Sequence, residues 1–404
     1  MSLFWVLPLL TYHFAVNHFA EFFSAAVGKS KIENPKSKIL IGTRGSALAL
    51  AQTTMVAEAL VAAWPGLTYE LVRITTTGDR KTKENLAEIG GKGLFTKELE
   101  DALLGGEVDL AVHSLKDLPT ELAPGLAIGA IPPRAPANDA LIIANCRLPI
   151  ADCQAGIRSP ESAVSALPSG AAVATSSPRR GAQLLLARPD LRIVPIRGNL
   201  DTRLRKLREG QADALVLALA GLIRLGIVAV DSRPEGESRA EPSGSATAGL
   251  SSRALDPHGR TSRPWHTGQS GSAGASPSHS LLDGFTVHVI PFELMLPAPG
   301  QGALAIEIRG DNAPIAGLVA RISDGPTVAA TTAERALLEA LGGGCQLPLG
   351  AHAEVLGDTL RLRAILLSPD GKQAARADHT GPAADPAAVA RLAAEDLGAQ
   401  GLHA

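Results

Sequence analysis

A thirteen-residue segment occurs twice in this chain, and the repeat confines the fold to one built from two similar halves. Gly106-Glu107-Val108-Asp109-Leu110-Ala111-Val112-His113-Ser114-Leu115-Lys116-Asp117-Leu118 aligns without a gap on Gly210-Gln211-Ala212-Asp213-Ala214-Leu215-Val216-Leu217-Ala218-Leu219-Ala220-Gly221-Leu222. The scaffold positions agree and the polar ones diverge. His113, Ser114, Lys116 and Asp117 in the first copy stand where the second has Leu217, Ala218, Ala220 and Gly221. A turn that forms without four polar side chains does not need them for folding, so those four are candidates for function.

The sequence around the repeat indicates what kind of scaffold is doubled. Lys38-Ile39-Leu40-Ile41-Gly42 and Ala171-Ala172-Val173-Ala174 read as short buried strands, each leading through Thr and Ser into a helical pattern. The first continues as Ser46-Ala47-Leu48-Ala49-Leu50-Ala51, and the second opens on Pro178, a residue well tolerated at the first helical position. Strands and helices alternate in both halves, which predicts two α/β domains of like design. A helix N-terminus with hydroxyls and free backbone N–H groups favours anions. Two of them facing one cleft would suit a ligand that carries carboxylates.

At 404 residues, 45% apolar and with a net charge of -2, the chain has the composition of a soluble globular protein of two or three domains. It exerts no general pull on nucleic acid. Cys146, Cys153 and Cys345 form neither a disulfide framework nor a metal-site spacing, so a reducing compartment and no metal are expected. Two segments depart from the rest. Residues 1–37 hold Phe4, Trp5, Tyr12, Phe14, Phe19, Phe22 and Phe23, more than half of the aromatic residues. Their apolar run lacks a preceding positive charge and is too short to span a bilayer, which leaves a targeting or membrane-surface role open beside a poorly ordered extension. Residues 228–283 are rich in Ser, Gly, Pro, Ala and Arg without periodicity and are expected to be a disordered insertion.

Arg44, Lys92, Lys97, Lys116, Arg179, Arg180, Arg197, Arg203 and Arg224 mostly lie beside Gly, Ser or Thr at expected strand ends or first helical turns. Ligands of open α/β sheets bind at that edge. Singly, each is as readily a solvated surface charge; together they call for a polyanion. Arg grips carboxylates bidentately, so several in one cleft favour multiple carboxylates. Asp117 is an acid among these bases. Ionised there, it could stabilise a developing cation while the arginines hold the ligand's acids. The plainer alternative is an ion pair with Lys116 or a turn cap before Pro119. His113, alone at a strand end, reads more readily as structure than as a catalyst. Cys345 lies in Gly342-Gly343-Gly344-Cys345-Gln346-Leu347-Pro348, after an amphipathic helix expected over 331–341. The glycines end the helix and leave the thiol on an open loop. With no nearby His to act as base, attachment is favoured over cysteine-protease chemistry.

Arg44-Gly45-Ser46, Gly91-Lys92-Gly93-Leu94-Phe95-Thr96-Lys97-Glu98-Leu99-Glu100 and Val112-His113-Ser114-Leu115-Lys116-Asp117-Leu118-Pro119 resemble the porphobilinogen deaminase family. The resemblance continues in order through Thr175-Ser176-Ser177-Pro178-Arg179-Arg180, Ile196-Arg197-Gly198-Asn199-Leu200-Asp201-Thr202-Arg203, Ala220-Gly221-Leu222, Pro299-Gly300-Gln301-Gly302-Ala303, Ala333-Glu334-Arg335 and Gly343-Gly344-Cys345-Gln346. It spans residue 39 to the C-terminus, interrupted by the insertion, and excludes the extension.

The resemblance implies a transferase that joins four porphobilinogen units head to tail, releases ammonia at each step and frees a linear hydroxymethylbilane for tetrapyrrole synthesis. It implies a covalent dipyrromethane cofactor, held by Cys345 through a thioether. Asp117 would assist proton transfer and stabilise a cationic azafulvene-like intermediate. Lys116, Ser46, Thr175, Ser176, Ser177, Arg179, Arg180 and Arg197 would bind the cofactor, and Arg44, Lys92, Arg203, Arg224, Ser114 and Gln301 the substrate. The implied architecture is α/β: two periplasmic-binding-protein-like domains of type II around a cleft, with a small C-terminal α+β domain. The divisions expected here are 38–133 with 294–311, then 139–225, then 314–404. A cytoplasmic monomer with no nucleic-acid partner and no stable membrane association is implied, with hinge motion to accommodate a growing product. A two-lobed binding protein for a small carboxylic acid, or an inactive deaminase homologue, are the competing readings. The former explains the repeat and the arginines, but neither Asp117 nor Cys345.

Overall fold

The computed structural model describes residues 37–76, 96–144, 160–228, 284–344 and 347–402. The aromatic extension up to residue 36, residues 229–283, Lys92 and all three cysteines lie outside the described residues. The first half contributes β1 (Lys38–Thr43), β2 (Thr68–Arg73), β3 (Leu110–Ser114) and β4 (Leu126–Ala130). The second contributes β5 (Asp139–Ala144), β6 (Ala172–Ala174), β7 (Arg192–Val194), β8 (Ala214–Ala218) and β9 (Phe285–Val289), after which the chain returns with β10 (Leu304–Arg309).

These strands form two sheets of the same design, ordered β2-β1-β3-β10-β4 and β7-β6-β8-β5-β9. In each, three parallel strands are followed by one antiparallel strand, β10 or β5, and then by an edge strand that pairs antiparallel with it. The repeated segments supply β3 and β8, the equivalent central strands, and what they share is what builds them. Asp109 Oδ2 accepts from the Leu40 N–H at 2.9 Å while its own N–H donates to the Leu40 carbonyl at 2.8 Å. The aligned Asp213 repeats this with Ala172 at 2.7 and 2.8 Å. Gly106 and Gly210 both take positive φ, 75° and 83°, where a Cβ would be strained.

The two strand-to-helix turns also match. Ser46 caps the helix Ala47–Ala63 by accepting from the Ala49 N–H at 3.2 Å, and Ser177 caps Pro178–Ala187 by accepting from the Arg180 N–H at 3.5 Å. Apolar strand residues fill the cores: Ile39, Ile41, Leu110, Ile306 and Ile308 in the first sheet, Leu141, Ile143, Val173 and Val216 in the second.

A third unit is the antiparallel meander β11 (Leu349–Leu356), β12 (Thr359–Leu367) and β13 (Ala374–Pro382), covered on one face by helices Gly325–Ala340 and Pro386–Ala399. Along β12, Leu360, Leu362, Ala364 and Leu366 face those helices, whereas Ile365 and Leu367 turn to Ala182 and Leu296. This period-2 alternation lets one strand serve both its own core and the contact with the second half.

Four expectations shift. The helix anticipated over 331–341 begins at Gly325, because Asp324 caps it by accepting from the Thr327 N–H at 2.9 Å and Pro326 occupies its first turn. The helix Ala313–Ala320 buries Ile315, Ala316, Leu318 and Val319 in the first core, so a boundary at 314 falls too early. Met295 packs in the second core, so the return to the first begins after 294. Strand β9 was not anticipated and closes the second sheet.

The two crossovers between halves are stitched together. Gln301 Nε2 donates to the Ala137 carbonyl at 2.7 Å, the Ala135 N–H to the Gly302 carbonyl at 3.1 Å, and Asn138 Nδ2 to the Ile290 carbonyl at 3.0 Å.

Candidate active site

Strand β3 ends at Ser114 and turns through a short 3-10 segment, Leu115–Asp117. Leu115 is buried and anchors the turn, while Asp117 is exposed. The turn lies against the second crossover. Gly300, at φ 74°, comes so near that an added Cβ would stand 3.1 Å from Leu115 Cγ and 3.3 Å from the Lys116 nitrogen. Gly302 is closed to side chains in the same way by the Ala135 carbonyl. Behind Asp117, the helix Gly325–Ala340 grips the chain: Arg335 donates to the carbonyls of Leu118, Pro119 and Thr120 at 3.2, 2.6 and 3.2 Å.

Lys116 points inward and donates from Nζ to Gln301 Oε1 at 3.3 Å. The residue keeps some solvent exposure, but its ammonium is enclosed, and burial pushes its pKa down to about 8 against the opposing pull of Asp117. Gln301 is fully buried with both amide hydrogens committed, to the Ala137 carbonyl and to Asp139 Oδ1. It therefore orients Lys116.

Arg179 and Arg180, in the first turn of their helix, are buried and share the carboxylate of Asp139. Their charge holds the Asp139 carboxyl far below the usual carboxylate range despite its burial. Arg179 also donates to the Leu296 carbonyl at 2.7 Å, leaving its Nε buried without a partner. Arg224 donates to the Gly302 carbonyl at 2.6 Å, its Nε is likewise orphaned, and burial lowers its pKa to about 10. Arg203 donates from Nε to the Gly198 carbonyl at 2.8 Å, and burial and then Arg180 lower its pKa. Arg44 is partly exposed and Arg197 exposed, each with an interaction of its own.

The hydroxyls divide. Ser46, Ser177 and Thr175 accept from backbone N–H groups, so each keeps its hydrogen for another acceptor. Ser176 both donates to the Ile196 carbonyl at 2.7 Å and accepts from the Ile196 N–H at 3.0 Å, so it ties the loop to the neighbouring segment. Ser114 accepts from Gln52 Nε2 at 2.9 Å. His113 is buried with Nε2 3.0 Å from Glu307 Oε2, too poorly aligned for a hydrogen bond. Lys92 and Cys345 lie outside the described residues.

Sequence reasoning missed three residues that organise this region: Asp139, Arg134 and Glu334. Arg134 is bidentate to the fully buried Glu334 at 2.7 and 2.9 Å and donates from Nε to the Gln301 carbonyl at 2.8 Å. An acid opening the otherwise apolar run Asp139–Ala144 was the available signal.

Lys116, Arg179 and Arg180 outnumber Asp117 and Asp139, and the Nε–H groups of Arg179 and Arg224 are desolvated without acceptors. Such a donor set fits a ligand bearing several carboxylates, as a dipyrromethane does.

Comparison with known proteins agrees with this chemistry. Residues 39–245 match the family model "Porphobilinogen deaminase, dipyromethane cofactor binding domain", and residues 328–399 match "Porphobilinogen deaminase, C-terminal domain". The porphobilinogen deaminase of Desulforudis audaxviator is 42% identical over 354 residues, covering 88% of this chain and 92% of that protein. That of Paracoccus denitrificans is 42% identical over 371 residues, covering 91% and 96%. Among solved structures, the periplasmic VFT2 domain of Bordetella pertussis BvgS aligns over 71% of this chain and 86% of that one, at 12% identity and a TM-score of 0.34. By its matched domains and its close relatives, the chain belongs to the porphobilinogen deaminase family.

Proposed function

We propose that Asp117 and the cations behind it carry out hydroxymethylbilane synthesis, the family's activity. The chain is a transferase of tetrapyrrole biosynthesis that deaminates porphobilinogen and joins four units into linear hydroxymethylbilane. A bound dipyrromethane supplies the primer to which incoming units are joined, and we assign its attachment to Cys345.

The observation that carries the assignment is one exposed carboxylate, Asp117, next to an enclosed cluster of cations with unsatisfied donors. Lys116, Arg179, Arg180 and Arg224 hold ligand carboxylates and so fix the pyrrole rings relative to Asp117. Ser46, Thr175 and Ser177 add hydroxyl donors at two helix N-termini. Arg44, Lys92, Arg197 and Arg203 receive the carboxylates of the lengthening product. Asp117 stabilises the positive charge that develops as ammonia leaves the aminomethyl carbon, and takes the proton released when the new ring regains aromaticity. A carboxylate serves because it attracts the developing cation and does not compete for the ligand's acids. We further read the protein as a cytoplasmic monomer.

Asp117→Ala tests this reading. Turnover of porphobilinogen should fall by roughly 10²–10⁴-fold with circular dichroism and thermal midpoint unchanged. An active variant would remove Asp117 from the mechanism.

A further inference from the structure

Asp139 opens β5 just after the chain has crossed from the first half, and it is 0% exposed. Its carboxylate is saturated. Oδ1 accepts from Arg180 Nε at 3.0 Å, Arg180 Nη2 at 2.7 Å and Gln301 Nε2 at 3.0 Å, and Oδ2 accepts from Arg179 Nη1 at 2.8 Å. The other hydrogen of the Gln301 amide goes to the Ala137 carbonyl at 2.7 Å. With both hydrogens committed, Gln301 has one orientation, which presents Oε1 to Lys116 Nζ at 3.3 Å. Arg179 and Arg180 belong to the second half and Lys116 to the first, so a single carboxylate at the crossover references the cations of both.

We propose that Asp139, acting through Gln301, is a positioning residue that holds Lys116 and the Arg179–Arg180 pair in register across the two halves and sustains the charge on Lys116. The inference rests on the reading of these cations as the ligand's carboxylate receptor.

Positioning follows from the geometry. Each guanidinium has other rotamers, and only the shared carboxylate requires both to converge on one point. The Gln301 amide could flip, but a flip would turn its oxygen toward Asp139 and its NH₂ toward Lys116, losing both contacts and setting like against like. Charge support follows from the neighbours. The charged groups facing Lys116 are Asp117 and Asp139, which favour its ammonium, and Arg179 and Arg180, which oppose it. Without Asp139, two arginines would act against Asp117 alone in an enclosed site, and the ammonium would lose its proton more readily. A neutral Lys116 no longer holds a carboxylate by charge.

Asp139→Asn preserves shape and deletes the charge. In the purified, cofactor-loaded protein, brief acylation with acetic anhydride over roughly pH 6 to 10 titrates Lys116, read at its own peptide by mass spectrometry. The expected result is a midpoint moved toward acid by about one unit or more, together with the alkaline limb of kcat/KM. A residue that only maintained the fold would lower the thermal midpoint and leave the Lys116 titration where it was, and that result overturns the proposal. If Asp139→Asn does not fold, Gln301→Met carries the test. It leaves the arginine pair on Asp139 and removes the acceptor from the ammonium, so the midpoint again moves toward acid, and an unmoved midpoint again overturns the inference. Failure of the functional reading is separately visible: a parent protein that turns over no porphobilinogen still yields a Lys116 midpoint for both variants.

Discussion

Glu334→Gln removes one negative charge and almost no volume from a fully buried site, and its consequence can be worked out bond by bond. Glu334 accepts four hydrogen bonds: from Arg134 Nη1 at 2.7 Å and Nη2 at 2.9 Å, from the Gly300 N–H at 2.7 Å and from the Ala353 N–H at 2.8 Å. All four partners are donors. A glutamine keeps one acceptor oxygen and puts an NH₂ where the other stood, so two donors are left facing a donor. Losing one partner of a buried pair costs about 3–5 kcal/mol. The same geometry on the surface costs little. Arg361 and Asp378 also make a bidentate pair, at 2.8 and 2.6 Å, but both are solvent-exposed, and Asp378→Asn should cost less than about 1 kcal/mol. Hydrogen exchange provides a local assay that does not require the whole chain to unfold in two states. Exchange at Gly300 or Ala353, whichever faces the new NH₂, should accelerate by roughly 10²–10⁴-fold in Glu334→Gln, and nowhere comparably in Asp378→Asn. Because Gly300 lies against Lys116, kcat should fall too. If the two variants lose similar stability, or Gly300 and Ala353 both stay protected, burial does not make the Glu334 pair decisive.

Arg335→Met should loosen the turn that carries Asp117, since it deletes donors to three consecutive carbonyls; kcat should drop with KM nearly unchanged, and a pure KM effect would argue against this role. His352, stacked on Phe292 with centroids 4.1 Å apart, has its pKa pushed down to about 4 by burial. The folded state therefore binds fewer protons than the unfolded between about pH 4 and 6.5, and stability should rise with pH across that window by about 2 kcal/mol. His352→Leu should flatten that slope in urea titrations at successive pH values; an unaltered slope would assign it to other groups.

Much of the scaffold is legible in the sequence because it is locally encoded. Gly106 and Gly210, Asp109 and Asp213, Ser46 and Ser177 mark equivalent turns within a few residues of the strands they organise. What escapes is encoded between distant segments. Nothing near Arg134 announces that its partner is Glu334, and nothing near Asp139 announces that Arg179, Arg180 and Gln301 converge on it. The helix Ala313–Ala320 illustrates the same limit: its apolar face is evident, but which core it fills is decided by packing against β4 and β10. At the site, residue type identified the cations, whereas burial and prior hydrogen bonds decided their tasks. Ser176 and Gln301 share motifs with ligand-binding candidates yet have every donor already engaged in the fold.

The account depends most on the claim that this chain carries a dipyrromethane on Cys345. Intact mass of the purified protein, followed by peptide mapping, tests it directly. The account predicts added mass equal to two linked pyrrole units, confined to the peptide containing Cys345. An unmodified chain that also fails to acquire this mass on incubation with porphobilinogen would contradict it.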